Sequence, residues 1–122
     1  MSYPQVKEQT GIALDQELTP LEIREAIYQT ASYAGYQKAI NAMAYADEMF
    51  AERGIEIPLE SQATVTDEDR YEKGLEAQRA IFGPDFAAIT EDMSESMKRR
   101  VSYVSEFSFG DFMTRTGLDE AE

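Results

Sequence analysis

The chain of 122 residues contains neither cysteine nor histidine. The absence of cysteine excludes disulfides and thiol redox chemistry by its own residues. The absence of both residue types also removes thiolate and imidazole metal ligands, together with the commonest general base. We therefore expect no metal and no cofactor, and any chemistry has to use carboxylates, tyrosines, amides or groups borrowed from another chain.

Basic residues are scarce too, because 11 Lys and Arg stand against 24 Asp and Glu, giving a formal net charge of −13. Such an acidic chain is repelled by nucleic-acid phosphates and by anionic membrane surfaces. No apolar run reaches the roughly 18 residues of a transmembrane helix, and the start has no basic-then-apolar signal pattern. We therefore expect a cytoplasmic protein without nucleic-acid or membrane partners.

Alternating β-branched runs are missing, whereas apolar residues recur at helical spacing along almost the whole chain. This pattern predicts an all-α fold of about five helices in a single domain, residues 1–122. A first helix covers about residues 4–16. The sequence "TPLE" then predicts a second helix, with Thr19 as N-cap and Glu22 completing a capping box. The helical pattern continues to Gly54, which is typical of a helix C-cap.

The second half of the chain follows a connector at residues 55–66, which has no helical stripe. Thr66 and Asp69 begin another amphipathic helix, which the "GPD" of residues 83–85 closes. A last long helix begins near Ser94. Its residues 101–113 are apolar around most of the helix circumference, which predicts burial on several sides.

Gly35 interrupts an otherwise helical stretch, between Tyr33 and Tyr36. One interpretation is a break, at which one helix ends and Tyr36 starts the next at a new angle. The other is that Tyr33 and Tyr36 line a cavity, since a phenol combines an apolar body with a polar tip.

Glu106 is the only carboxylate between Arg100 and Asp111, inside the segment that we expect to be buried. A buried carboxylate has to be hydrogen-bonded, ion-paired or protonated. One interpretation is an ion pair with Arg115, Arg99 or a basic residue of another subunit. The alternative is a general acid or base whose pKa is raised by apolar surroundings.

Two stretches of the chain resemble the carboxymuconolactone decarboxylase family. The run "ELTPLEIREAIYQTASYAGYQKAINAMAYADEMFAERG" is similar to the second half of that family's domain, with its T-P-x-E-I start and its Q-T-x-x-Y-A-G-x-x-x-A-x-N-A run. The stretches "RYEKGLEAQRAIFGPDFAAI" and "EFSFGDFMTRTGLDEAE" resemble the first half, with its R-Y-x-x-G and F-G-D/E signatures. Residues 1–54 thus correspond to the C-terminal half and residues 67–122 to the N-terminal half, in inverted order.

The resemblance implies a helical bundle in which one helix is missing, the alanine-rich helix that the family places after "GLD" and before "PQVK". Asp119 is typical of a helix N-cap, and the sequence stops before the helix that this pattern predicts. Two explanations fit: an offset relative completed by helix exchange between subunits, or a segment spanning two copies of a double-domain protein. Both predict a homo-oligomer with an apolar interface, which we expect to include part of the Ile23, Ile27, Met43 and Phe112 surface.

The resemblance also implies which residues carry function. Members that reduce peroxides use a C-x-x-C pair near a histidine, so cysteine-dependent peroxidase activity is excluded for this chain. Gln9 stands where a histidine is common and Glu17 where a glycine is common. Glu106 matches a carboxylate position and could protonate carbon, while Arg115 and Gln9 could bind a carboxylated substrate in a pocket near Tyr33 and Tyr36.

The leading hypothesis is therefore a carboxymuconolactone decarboxylase-like protein, a lyase on a small carboxylated lactone or related acid if catalysis is retained. A second hypothesis is a noncatalytic oligomeric helical module that keeps the family's packing without its chemistry. A third is an acidic helical adaptor unrelated to the family. Glu106, Arg115 and Gln9 around one pocket would favour the enzyme. A pocket filled by phenylalanines of residues 107–112 would favour the module.

Overall fold

The computed structural model describes residues 2–118, apart from the side chains of Ala87 and Thr90. Within that range every regular element is a helix, so the predicted all-α fold is confirmed. The described chain divides into two compact units, which we call unit 1 (residues 2–62 and 117–118) and unit 2 (Ala63–Thr116). The division after residue 62 falls inside the predicted connector of residues 55–66. The predicted helix start at Asp119 lies outside the described residues.

Unit 1 contains α1 (Tyr3–Asp15), α2 (Pro20–Gln29), the short α3 (Ala31–Ala34) and α4 (Tyr36–Glu52). Unit 2 contains α5 (Arg70–Phe82), a 3₁₀ segment (Pro84–Thr90), α6 (Glu95–Val104) and a π-helical segment (Ser105–Met113). Among these helices none combines the length and the apolar character that crossing a bilayer requires.

The start of α2 is fixed by the predicted capping box. The backbone N–H of Glu22 donates to the Thr19 hydroxyl oxygen at 3.2 Å, and the backbone N–H of Thr19 donates to the Glu22 carboxylate at 2.9 Å. Two otherwise unpaired donors at the helix end are thereby satisfied. Glu17, just before this box, has a φ of 68°. That left-handed conformation explains why glycine suits the position.

Gly35 separates α3 from α4 with φ at 103° and ψ at 148°, a combination that residues with a Cβ rarely adopt. The predicted helix break is therefore confirmed. Gly54 follows α4 with φ at 71°. The N–H of Ile55 donates to the Phe50 carbonyl at 2.9 Å and that of Gly54 to the Ala51 carbonyl at 3.1 Å. These two bonds form a Schellman motif, so the predicted C-cap is also confirmed.

The core of unit 1 lies between α2 and α4. Phe50 and Ala46 are fully buried, and Ile23 and Met43 are 8% and 9% exposed beside them. Little of either side chain is exposed in this unit, and their expected role in a subunit interface stays a prediction. Both side chains stabilise the unit from inside, because burying each one removes apolar area from water.

Unit 2 is held by a close backbone approach between α5 and the π-helical segment. A Cβ on Gly74 would lie 1.9 Å from the Ser105 carbonyl oxygen, and one on Gly110 would lie 2.4 Å from the Arg70 carbonyl oxygen. Only glycine leaves room for such contacts. Next to them, the Ser105 hydroxyl donates to the Gln78 side-chain oxygen at 2.6 Å, with both residues buried.

An ion pair closes the same interface of unit 2. The Arg70 Nε donates to Asp111 Oδ1 at 2.6 Å, and Arg70 Nη2 donates to Asp67 Oδ1 at 2.6 Å. The two signatures R-Y-x-x-G and F-G-D/E therefore meet physically, since each contributes one glycine and one member of the ion pair. A planar guanidinium suits this double engagement of two carboxylates.

The apolar side chains of unit 2 are less covered than their sequence predicts. Tyr103 is 60% exposed, Val104 48%, Phe107 40% and Met113 46%. The expected burial of residues 101–113 on several sides is therefore wrong within this chain. The physical reason is that glycines make the close contact with α5, and the aromatic rings mostly meet one another, as Phe107 and Phe112 do with centroids 5.0 Å apart.

Gly74→Ala tests this backbone contact, with Gly11→Ala in α1 as the matched control. The new methyl group at residue 74 meets backbone atoms, so we expect a loss of about 3 kcal/mol or more in unfolding free energy. At Gly11 the nearest atom is the flexible end of Met49, 3.1 Å away, and alanine favours helix by up to about 1 kcal/mol. Urea denaturation followed by circular dichroism compares the two variants. Equal stabilities would contradict the proposed contact.

Candidate functional site

A pocket of about 300 Å³ lies in unit 1 between α2, α4 and the segment that follows α4. The helices contribute Arg24, Tyr28, Met43 and Asp47, and the segment contributes Ile57, Pro58 and Leu59. The pocket thus combines a cation, a carboxylate and a phenol with apolar walls. A few polar groups on an apolar wall are typical of small-molecule sites.

Arg24 is the fixed charge of this pocket and is only 6% exposed. Its Nε and Nη2 donate to Glu25 Oε1 at 3.1 and 2.9 Å, and Nη2 also donates to the backbone carbonyl of Glu60. The guanidinium carbon lies 5.5 Å from the centre of the Tyr28 ring, in a cation–π contact. The other terminal nitrogen, Nη1, donates to no acceptor within residues 2–118. Among the nitrogen atoms of this guanidinium, Nη1 is thus the one without an acceptor in the described range.

Asp47 is the second ionisable group on the pocket wall. It is half-buried, and it makes no hydrogen bond or ion pair with any residue of the described range. Burial raises the pKa of its carboxyl group above the ordinary 3.8, although the positive charge of Arg24 acts in the opposite direction. A carboxyl group of raised pKa holds its proton longer and is suited to proton donation.

Sequence reasoning missed Arg24 and Asp47. Both carry weak signals in retrospect, because Arg24 and Tyr28 stand four residues apart on α2, as Met43 and Asp47 do on α4. Such spacing places each pair on one helix face. The pattern does not show that the two faces meet, and this contact creates the site.

A larger groove of about 560 Å³ lies in unit 1 along α1, α2 and α4. Its wall is mainly apolar, and Gln9 lies on it as a polar side chain. Three further polar side chains on the wall are used locally: Thr10 and Thr30 donate to carbonyls of their own helices, and Glu22 serves the capping box. The groove thus offers an amide and apolar contacts, and none of its described lining residues is cationic.

The remaining predicted site residues lie elsewhere. Tyr33 is 86% exposed and Tyr36 is 67% exposed on either side of Gly35 in unit 1. Glu106 and Arg115 are half-buried in unit 2. Within residues 2–118, Glu106 forms neither a hydrogen bond nor an ion pair. The five predicted site residues are thus divided between the units, and their roles stay predictions.

Within the described range, no three acidic side chains converge on a position where a metal ion could be held. The groups able to contact a ligand in the Arg24 pocket are a guanidinium, a carboxyl group and a phenol. These groups suit a small organic anion.

Comparison with known proteins finds a family match for one part of the chain. The family model described as the carboxymuconolactone decarboxylase family matches residues 4–48, which confirms the resemblance over that segment. No curated protein and no solved structure matches the chain. The matched segment contains α1 except for Tyr3, all of α2 and α3, and most of α4, so it includes both helices that form the Arg24 pocket.

Asp47→Asn tests the electrostatics of the pocket. Because the pKa of Asp47 is raised by folding, its native carboxyl binds a proton more tightly than the unfolded one. The stability this proton provides is complete below pH 3.8 and is lost as the pH rises through the folded pKa. We therefore expect Asp47→Asn to raise the melting temperature at pH 7 by about 1–3 °C, and the gain to vanish near pH 3.5.

The matched control for this experiment is Glu48→Gln, an exposed neighbour on the same helix that approaches Lys7 at 3.5 Å. It should show no such gain at pH 7. A lower melting temperature of Asp47→Asn at neutral pH would mean that the ionised carboxylate has a stabilising partner.

Proposed function

Because the model of the carboxymuconolactone decarboxylase family matches residues 4–48, we propose that unit 1 is a lyase site that removes CO₂ from a small carboxylated lactone or a related acid. The observation that carries the proposal is the buried guanidinium of Arg24, which lines a pocket of about 300 Å³. The helical residues that line this pocket all lie inside the matched segment. The volume suits a single small ring with its substituents.

Arg24 supplies the binding interaction in this proposal. Its Nη1 donates to a carboxylate of the substrate, while Glu25 and the Glu60 carbonyl keep the guanidinium in place. A charge-assisted hydrogen bond of this kind is about twice as strong as a neutral one. Met43 and Ile57 supply apolar contacts to the substrate.

Asp47 supplies the proton. In the reaction, the bond between the ring carbon and the departing carboxylate breaks, CO₂ leaves, and the electron pair stays on the carbon. Asp47 in its acid form donates its proton to that carbon and becomes a carboxylate, which water reprotonates before the next turnover. The raised pKa of Asp47 supports this role, because it enlarges the protonated fraction.

The test is CO₂ release from a panel of small carboxylated lactones. We expect Asp47→Asn to lower kcat by about 100-fold or more, the usual effect of losing a general acid. Glu48→Gln, the control on the same helix, should stay within about twofold of the unmodified protein, a difference worth only ~0.4 kcal/mol. If Glu106→Gln abolishes activity and Asp47→Asn does not, the acid is Glu106. If the unmodified protein releases no CO₂ from the panel, the lyase proposal fails.

A second function, assembly, is favoured by the surface of unit 2. Large apolar side chains there are half or more exposed: Ile81 by 51%, Phe82 by 59%, Ile89 by 65% and Tyr103 by 60%. Exposed apolar surface of this kind is typical of a subunit interface. We propose that copies of this chain associate through it into a homo-oligomer with a largely apolar, obligate interface.

Light scattering at micromolar concentration tests the assembly proposal. The unmodified protein should be oligomeric, and the double change Ile81→Glu with Tyr103→Glu should shift it toward monomer, because the interface would then bury two unpaired charges. Tyr33→Glu, at an 86% exposed position of unit 1, is the control and should leave the mass unchanged. A folded monomer of the unmodified protein would sink the proposal.

A further inference from the structure

The charges around the Arg24 pocket do not balance. Arg24 contributes one positive charge, whereas Glu25 and Asp47 contribute two carboxylates. Glu25 already accepts two hydrogen bonds from the guanidinium. Ionised, the group therefore carries a net negative charge before any ligand arrives.

Among the described residues that line the pocket, Arg24 is the only cation near Asp47. From α2 the pocket receives Arg24 and Tyr28, and from the segment after α4 it receives Ile57, Pro58 and Leu59, whose side chains do not titrate. On α4, Met43 is the lining residue beside Asp47. No described lining residue comes from α1. A bound carboxylate and the Asp47 carboxylate would thus share a single guanidinium that is already paired with Glu25.

Two carboxylates that share one small site do not both stay ionised, because like charges at close range disfavour the charged forms. When one proton is present, the pair becomes a carboxylic acid that donates a short hydrogen bond to a carboxylate. We propose that the Arg24 pocket binds a carboxylate ligand together with one proton, which Asp47 takes up from solvent. This inference rests on the proposed function, because it assumes that the pocket is the carboxylate site.

Proton uptake lets the pocket distinguish a carboxylate ligand from a neutral one. It also supplies the proton that the proposed lyase reaction transfers to carbon. A neutral carboxamide brings no charge, so it binds without the proton. A carboxylate ligand instead loads Asp47 with the proton that the carbon later receives. Affinity for a carboxylate therefore weakens as the pH rises, since free protons take part in the binding equilibrium.

Isothermal titration calorimetry at pH 7 in phosphate and in Tris tests the proposal. The probes are a butyrolactone carrying one carboxylate and the matching carboxamide. The dependence of the observed heat on the buffer's ionisation heat measures the protons taken up. We expect about one proton per carboxylate bound and about none per carboxamide. Between pH 6 and pH 8, the Kd for the carboxylate should rise about tenfold per pH unit, the ratio that one linked proton gives.

Two variants test whether Asp47 is the residue that takes up the proton. Asp47→Asn should bind the carboxylate with no proton uptake and with a Kd that is flat across the same pH range. Glu48→Gln should behave as the unmodified protein. Uptake that persists in Asp47→Asn would overturn the assignment to Asp47. Carboxylate binding by the unmodified protein without uptake would overturn this inference and leave the lyase proposal standing. No binding of the carboxylate at all would overturn both.

Discussion

The burial of one guanidinium organises the family-matched unit. A charge as enclosed as that of Arg24 is costly unless its hydrogen bonds are satisfied, and removing a partner of such a buried pair costs about 3–5 kcal/mol. Glu25 provides one partner from the same helix, and the Glu60 carbonyl provides another from the segment after α4. That second bond holds the segment against α2 and thereby forms the wall of the pocket. The packing of this unit and its proposed chemistry therefore both depend on the Arg24 guanidinium.

The elements that sequence reasoning predicted correctly are those encoded within a single turn. The capping box of Thr19 and Glu22, the break at Gly35 and the C-cap at Gly54 each involve residues that are neighbours along the chain. Local backbone conformation and hydrogen bonding decide them, so the pattern alone is sufficient. The family resemblance of residues 4–48 was recognisable for the same reason, because its motifs are contiguous.

The parts that escaped prediction depend on contacts between distant residues or on unusual helix geometry. Arg24 and Asp47 form one site only because α2 meets α4. The spacing of residues within either helix does not predict this contact. The segment Ser105–Met113 is a π-helix, with more residues per turn than an α-helix. The burial expected for residues 101–113 came from an apolar pattern around most of the helix circumference, and this pattern does not show that glycines make the close contact with α5. The roles of Glu106 and Arg115 remain predictions.

Backbone contact between α5 and the π-helical segment also affects how unit 2 moves. Because the Ser105 carbonyl occupies the space that a side chain on residue 74 would need, the two segments cannot slide by one residue without a steric clash. We therefore expect the close contact to oppose small displacements, so that the interface opens when the two segments separate as a whole. Amide hydrogens along both segments should then exchange with solvent in one concerted step, as they do in a cooperative folding unit.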